Sequence, residues 1–257
     1  MNIEKIVLNE ERHVTLTAYL QGVGGEFRNI ARRPAILILP GGAYRMCSER
    51  EADPVAFPYL EAGFQAFILR YSVRENATWP NPLNDYEQAI TLIRERAEEW
   101  GIAPDKIAVI GFSAGGHLAC AAATMSVNRP NAAILGYALC GNDVKHFFPE
   151  APGTIESVDE KTCPCFLFHT CNDNVVSVHN ALDFASALSR AKVPYECHIY
   201  SFGPHGISVG DATVLTNYYA ADPIVTDRAK HWVPDSIGFL REIFGDFGVD
   251  GFTKTRI

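Results

Sequence analysis

The run Ile107-Ala-Val-Ile-Gly111-Phe112-Ser113-Ala114-Gly115-Gly116-His117-Leu118 leaves this chain few folds to choose from. A short β-branched stretch enters Gly-x-Ser-x-Gly directly, and an Ala-rich, helix-favouring segment from Leu118 to Met125 follows. That order predicts a strand, a sharp turn and a helix, with the hydroxyl of Ser113 pushed out above the sheet. Gly111 and Gly115 carry no Cβ to clash where strand and helix approach. The N–H of Ala114 then points at the space beside the serine oxygen.

The segments around this turn alternate strand with helix. Ala35-Ile-Leu-Ile-Leu39 is a continuous apolar run of the kind buried on both faces of a parallel sheet. It ends at Pro40-Gly41-Gly42-Ala43-Tyr44, where a glycine pair exposes backbone N–H groups at a strand's carboxyl end, the edge at which open α/β sheets bind ligands. Asp53-Pro54 is expected to cap and start a helix that Gly63 stops, and Gln65–Arg70 is the next strand. Asn84 to Trp100 carries apolar residues at 86, 89, 90, 93, 97 and 100, one buried helical face, with Asn84 and Glu87 as a capping box. Residues 132–138 and 165–169 read as further strands, 177–191 as a helix, 195–200 as a strand, and Pro234 opens a last helix. Val14–Leu20 belongs to an antiparallel edge hairpin expected to close through Gly22 to Gly25. The regular alternation from residue 35 onward predicts an α/β fold, a doubly wound, mostly parallel sheet with helices on both faces, in a single domain over 1–257. Residues 206–233 are irregular in texture, as functional stretches beside a site often are.

With 257 residues, 47% of them hydrophobic, the chain can bury a large core, and its net charge of −8 argues against nucleic-acid or anionic-membrane partners. The first residues lack the basic start and long apolar run of a secretory signal, and no stretch approaches the ~20 apolar residues of a membrane span. The expected compartment is the cytoplasm. Seven cysteines without metal spacing read as ordinary thiols, Cys163-Pro-Cys165 included.

A serine hydroxyl needs a base within hydrogen-bond reach and a carboxylate to orient that base. Asp173, in Cys171-Asn-Asp-Asn-Val-Val-Ser177, follows the strand ending at Thr170, where the orienting acid belongs. Asp143 also follows a strand and is the rival acid; position after the later strand favours Asp173. His205 follows the strand ending at Tyr200, between Gly203 and Gly206, and is the expected base. His117 reads as a packing residue on the helix after the serine, and His169 and His198 as strand residues with core or rim roles. A developing oxyanion needs two or three backbone donors, which Ala114, Gly42 and Ala43 are placed to supply.

With these residues in view the chain resembles the α/β-hydrolase superfamily, and within it the small, capless carbohydrate acetyl esterases described as xylan esterase-like or as sugar hydrolases. The resemblance is carried by Pro40-Gly-Gly-Ala-Tyr44 with Arg50-Glu51 behind it, Tyr71-Ser-Val73, Gly111-Phe-Ser-Ala-Gly-Gly-His-Leu118, His205-Gly-Ile-Ser208 and the closing Trp232 helix. It implies an α/β-hydrolase fold with little or no cap, Ser113 as nucleophile, Asp173 as acid and His205 as base. The expected activity is hydrolysis of short acyl esters, acetyl on sugars or xylo-oligosaccharides, with no metal or other cofactor and a small-molecule ester as partner. Relatives of the hormone-sensitive-lipase type begin the oxyanion loop with His-Gly-Gly-Gly, where this chain has Pro40-Gly-Gly-Ala43. Similar serine blocks occur in arylformamidases, so amide hydrolysis is the alternative, and a non-catalytic ligand-binding protein the alternative of another class. Trp79 and Tyr218-Tyr219 could stack a sugar ring, or be partly buried aromatics. Oligomeric state is open.

Overall fold

The computed structural model describes residues 1–214 and 227–245, with the backbone of 247–248 and 251–252. Eight strands form one sheet: β1 (Asn2–Asn9), β2 (Val14–Leu20), β3 (Arg33–Leu39), β4 (Gln65–Arg70), β5 (Ile102–Phe112), β6 (Ala132–Gly136), β7 (Cys165–Thr170) and β8 (Tyr195–Tyr200). Their order is β1-β2-β4-β3-β5-β6-β7-β8. The β1/β2 and β2/β4 pairs are antiparallel, and the other five are parallel. Among the described residues five α-helices flank the sheet: α1 (Asp53–Glu61), α2 (Asn81–Glu95), α3 (Ser113–Thr124) and α4 (His179–Ala191) between strands, and α5 (Trp232–Phe244) after β8.

Strand residues alternate between two cores, as period-2 geometry requires. Ala35, Leu37 and Leu39 of β3 join Val109, Leu135 and Leu167 on the face covered by α2, α3 and α4. Ile36 and Ile38 join Ile110, Ile134 and Phe168 on the other, covered by α1 and α5. This is the doubly wound sheet that continuous apolar strands predict. On the second face the Trp232 ring stacks on Phe168 with centroids 4.3 Å apart and planes at 4°. Burying side chains of this size contributes about 2–3 kcal/mol each, and here it also anchors α5 to a strand that ends at the site.

Several element boundaries differ from the sequence reading. The β1–β2 hairpin turns at residues 10–13, where His13 has φ of 57°, and not at Gly22 to Gly25. Asp53 is the first residue of α1 and not its cap; its carboxylate accepts a hydrogen bond from the Tyr19 hydroxyl instead. α2 starts at Asn81, with a proline in its first turn, and Glu87 is drawn away from any capping box by Ser126 Oγ (2.7 Å) and the Val127 N–H (3.0 Å). The apolar face of that segment is as expected: 86, 89, 90, 93, 97 and 100 are all buried. α5 begins at Trp232, two residues before Pro234. Between β6 and β7 there are only single-turn helices, at Asn142–His146 and Ile155–Ser157, so no cap is inserted there. Among the described residues no helix is long and apolar enough to cross a membrane.

Candidate active site

The turns at the carboxyl ends of β3, β5, β7 and β8 meet on one edge of the sheet. Ser113, directly after β5, has φ of 53°, a left-handed conformation that costs an L-residue about 1–2 kcal/mol. The glycines around it make the turn possible. A Cβ on Gly111 would lie 2.1 Å from the Gly115 carbonyl oxygen, and one on Gly115 would lie 2.1 Å from that of Leu39. α3 thereby starts in direct backbone contact with β3 and β5.

His205 Nε2 lies 2.9 Å from Ser113 Oγ, and His205 Nδ1 lies 2.7 Å from Asp173 Oδ2. A carboxylate only accepts, so Nδ1 carries the proton and Nε2 is left free to accept from the serine hydroxyl. Asp173 Oδ1 takes the N–H groups of Val175 and Val176, both at 2.9 Å. Burial works to raise its pKa, but the hydrogen bonds from His169, His205 and Val176 outweigh it and hold the carboxyl well below the usual range. The His205 loop is tied to the end of β7 by Thr170 Oγ1, which donates to the Gly203 carbonyl (2.7 Å), and by Asn172 Oδ1, which accepts the Gly203 N–H (2.9 Å).

The rival residues are elsewhere employed. Asp143 accepts from Asn180 Nδ2 at 2.7 Å, and Asn180 Oδ1 in turn holds the N–H groups of Cys140 and Gly141. That network shapes the loop after β6 and does not touch His205. His198 stacks on Phe166 with Glu196 and Asp235 at its nitrogens. His169, expected in a core role, lies beside the acid: its Nε2 donates to the Val176 carbonyl at 3.0 Å and is 3.5 Å from Asp173 Oδ2. All seven cysteines are free thiols.

His117 is fully buried, as a packing residue should be. Its Nε2 donates to the Pro152 carbonyl (2.8 Å) and its Nδ1 accepts from the Tyr44 hydroxyl (2.6 Å). Burial pushes its pKa down from 6.5 to about 4. Below pH 6.5 the unfolded chain therefore binds a proton that the folded protein refuses. The stability this residue contributes is fully present above that pH and is lost as pH falls toward 4, by about 3 kcal/mol in all. Urea unfolding at pH 7 and pH 4.5 should show that loss, and a His117→Gln protein should lose markedly less over the same interval.

Gly42 (φ 134°) and Ala43 (φ 54°) line a cleft of about 310 Å³ together with Ser113 and His205. Ala114 is buried at the start of α3, where first-turn N–H groups have no carbonyl four residues back. Among the described residues the N–H groups of Gly42, Ala43 and Ala114 donate to no protein acceptor. Met46, Phe147 and Val175 form an exposed apolar rim to the cleft. Trp79 is not part of it: its ring packs on His117 and Phe148, with centroids 5.6 and 6.4 Å away, and Tyr218-Tyr219 lies outside the described residues. Glu51, which the sequence marks only as part of the Arg50-Glu51 pair behind the glycine loop and gives no role in the site, forms part of the cleft wall.

The fold is shared with solved structures. MGS-M1, an alpha/beta hydrolase enzyme from a Medee basin deep-sea metagenome library, is 44% identical; the match covers 94% of this chain and 97% of that one, with a TM-score of 0.87. The chain belongs to the α/β-hydrolase family. The BD-FAE family model matches this chain over residues 28–147, from before β3 to the loop after β6, which includes Ser113 and the Gly42–Ala43 loop. An acetylxylan esterase of Xylanibacter ruminicola is 31% identical over 199 residues, 68% of this chain and 41% of that protein. An endo-1,4-beta-xylanase B of Butyrivibrio fibrisolvens is 29% identical over 212 residues, 70% of this chain and 33% of that protein. The chain thus spans between a third and a little over two-fifths of the length of these curated relatives.

Proposed function

We propose that the hydrolase is a serine carboxylic ester hydrolase that removes short acyl groups, acetyl first among them, from acetylated sugars such as xylo-oligosaccharides. The observation that carries this reading is the hydrogen-bonded chain from Ser113 Oγ through His205 to Asp173 at the mouth of the cleft. As the serine oxygen attacks the ester carbonyl, His205 Nε2 takes its proton and Asp173 stabilises the imidazolium. The carbonyl oxygen becomes an oxyanion received by the N–H groups of Gly42, Ala43 and Ala114, each worth about 3 kcal/mol in comparable sites. His205 returns the proton to the leaving alcohol, and water, activated by the same histidine, releases the acyl group.

A cleft of about 310 Å³ without an inserted cap between β6 and β7 suits a small acyl group better than a long chain. The acetylxylan esterase relative supports the sugar side of the proposal. The test is a rate comparison on p-nitrophenyl esters from acetate to octanoate, beside acetylated xylo-oligosaccharides and N-formylkynurenine. Acetate should exceed octanoate in kcat/KM by about tenfold or more, since each surplus methylene that cannot be housed is worth roughly 1–3 kcal/mol of discrimination, and acetate should be released from the sugar. Faster turnover of the formyl amide would make the protein a formamidase. Silence on every substrate, with no labelling by a fluorophosphonate, would make it a binding protein.

A further inference from the structure

A carboxylate that the Ser113, His205 and Asp173 chain does not use is buried in the wall of the cleft. Glu51 is 3% exposed and sits on a single turn of helix between the Gly42–Ala43 loop and α1. A carboxylate in such a place is tolerated only when its oxygens are satisfied, and both are. Oε2 accepts the Gly41 N–H at 2.7 Å, and Oε1 accepts the Tyr137 hydroxyl at 2.6 Å. The Tyr137 oxygen in turn accepts the Ser208 N–H at 3.1 Å, and the ring lies edge-on to the His205 imidazole with centroids 5.1 Å apart. Arg50 strengthens the same join: its Nη1 donates to the Gly206 carbonyl at 2.9 Å, and its own carbonyl accepts from Ser208 Oγ at 2.5 Å.

The two loops so joined come from distant strands. Gly41 follows β3, His205 follows β8, and β5, β6 and β7 lie between them in the sheet. Sheet hydrogen bonding alone therefore leaves the distance between oxyanion donors and base loosely set, while acyl transfer needs such groups placed to about 0.5 Å. The contact has no slack on the Gly41 side, where a Cβ would come 2.7 Å from Glu51 Oε2 and 2.6 Å from the Phe112 carbonyl oxygen. We propose that Glu51 is a positioning residue for acyl transfer: through Gly41 and Tyr137 it fixes the oxyanion loop relative to the loop that carries His205. This rests on the reading of Ser113 as the nucleophile.

Glu51→Gln keeps the shape but exchanges one acceptor for a donor. The amide has one oxygen, so it can accept from the Gly41 N–H or from the Tyr137 hydroxyl, and the other donor is left without its acceptor. On p-nitrophenyl acetate, kcat should fall about 10- to 100-fold with KM within about twofold of the parent. The rate of fluorophosphonate labelling should fall in proportion. Tyr137→Phe, which removes only the bridging hydroxyl, should lose less, and the double variant should be no slower than Glu51→Gln alone, since the pair acts as one unit. A folded Glu51→Gln protein with kcat within twofold of the parent, a loss confined to KM, or losses that multiply in the double variant would overturn the inference. Should Glu51→Gln fail to fold, Tyr137→Phe decides it, and an unchanged kcat there overturns it equally. A parent protein that neither turns over esters nor labels overturns the reading of Ser113 and this inference with it.

Discussion

Ser113→Ala should lower kcat/KM on p-nitrophenyl acetate by about 10⁴-fold or more while leaving the protein folded. On the transition-state scale that loss is roughly 5 kcal/mol, more than any single hydrogen bond in the site could account for. It would reflect removal of the atom that attacks, with His205 and the oxyanion loop left in place to supply only residual catalysis. The same position carries a second, separable quantity. Ser113 is held at φ 53°, and alanine at that φ bears the same strain, about 1–2 kcal/mol, that glycine escapes. Ser113→Gly should therefore be as inactive as Ser113→Ala but at least as stable, with an equal or higher Tm. Steady-state kinetics and thermal unfolding on the three proteins measure both quantities. Activity of Ser113→Ala within tenfold of the parent would remove Ser113 from the mechanism.

Most of this architecture could be read from residue types because its signals are local. Ala35–Leu39 and Ile107–Ile110 are apolar on both faces, and buried parallel strands are the structure that such runs fit. The serine turn is punctuated by glycines whose absent side chains face backbone atoms, so the motif and the contact coincide. That Asp173 and His205 meet Ser113 follows from their place after strands and their order in the chain. What escaped was set by contacts between distant segments. Glu87 looked like a capping residue because Asn84 stands three positions before it, yet Ser126 and Val127, some forty residues away, take its carboxylate. Asp53 reads as a cap because Pro54 follows it, and Tyr19 from the hairpin claims its carboxylate. His169 could be placed on a strand but not beside Asp173, because the turn after Thr170 folds the acid back toward it. Glu51 is the extreme case: its partners, Gly41, Tyr137 and through Tyr137 Ser208, lie on three separate segments.

The nearby glycines give the other large effect, and it is one of stability. Gly115→Ala adds a single methyl whose carbon would sit 2.1 Å from the Leu39 carbonyl oxygen, 2.5 Å from that of Pro40 and 2.8 Å from the Leu39 carbonyl carbon. All three obstacles are backbone, so no rotamer change relieves the contact. α3 must move off β3, or the Pro40-Gly41 segment must yield. Overpacking of this kind costs about 3 kcal/mol or more, and because the displaced segment leads into Gly42 and Ala43, kcat should fall about 10²-fold even in the fraction that folds. A second helical glycine provides the contrast. Gly238, inside α5, has nothing within 4 Å of its built Cβ, so Gly238→Ala carries only the helix-propensity gain and should stabilise the protein by about 0.5–1 kcal/mol with activity unchanged. Two chemically identical substitutions are thus expected to move the urea midpoint in opposite directions. A Gly115→Ala protein as stable and as active as the parent would mean that α3 does not rest against the backbone of β3, and the serine turn would have to be rebuilt from another packing.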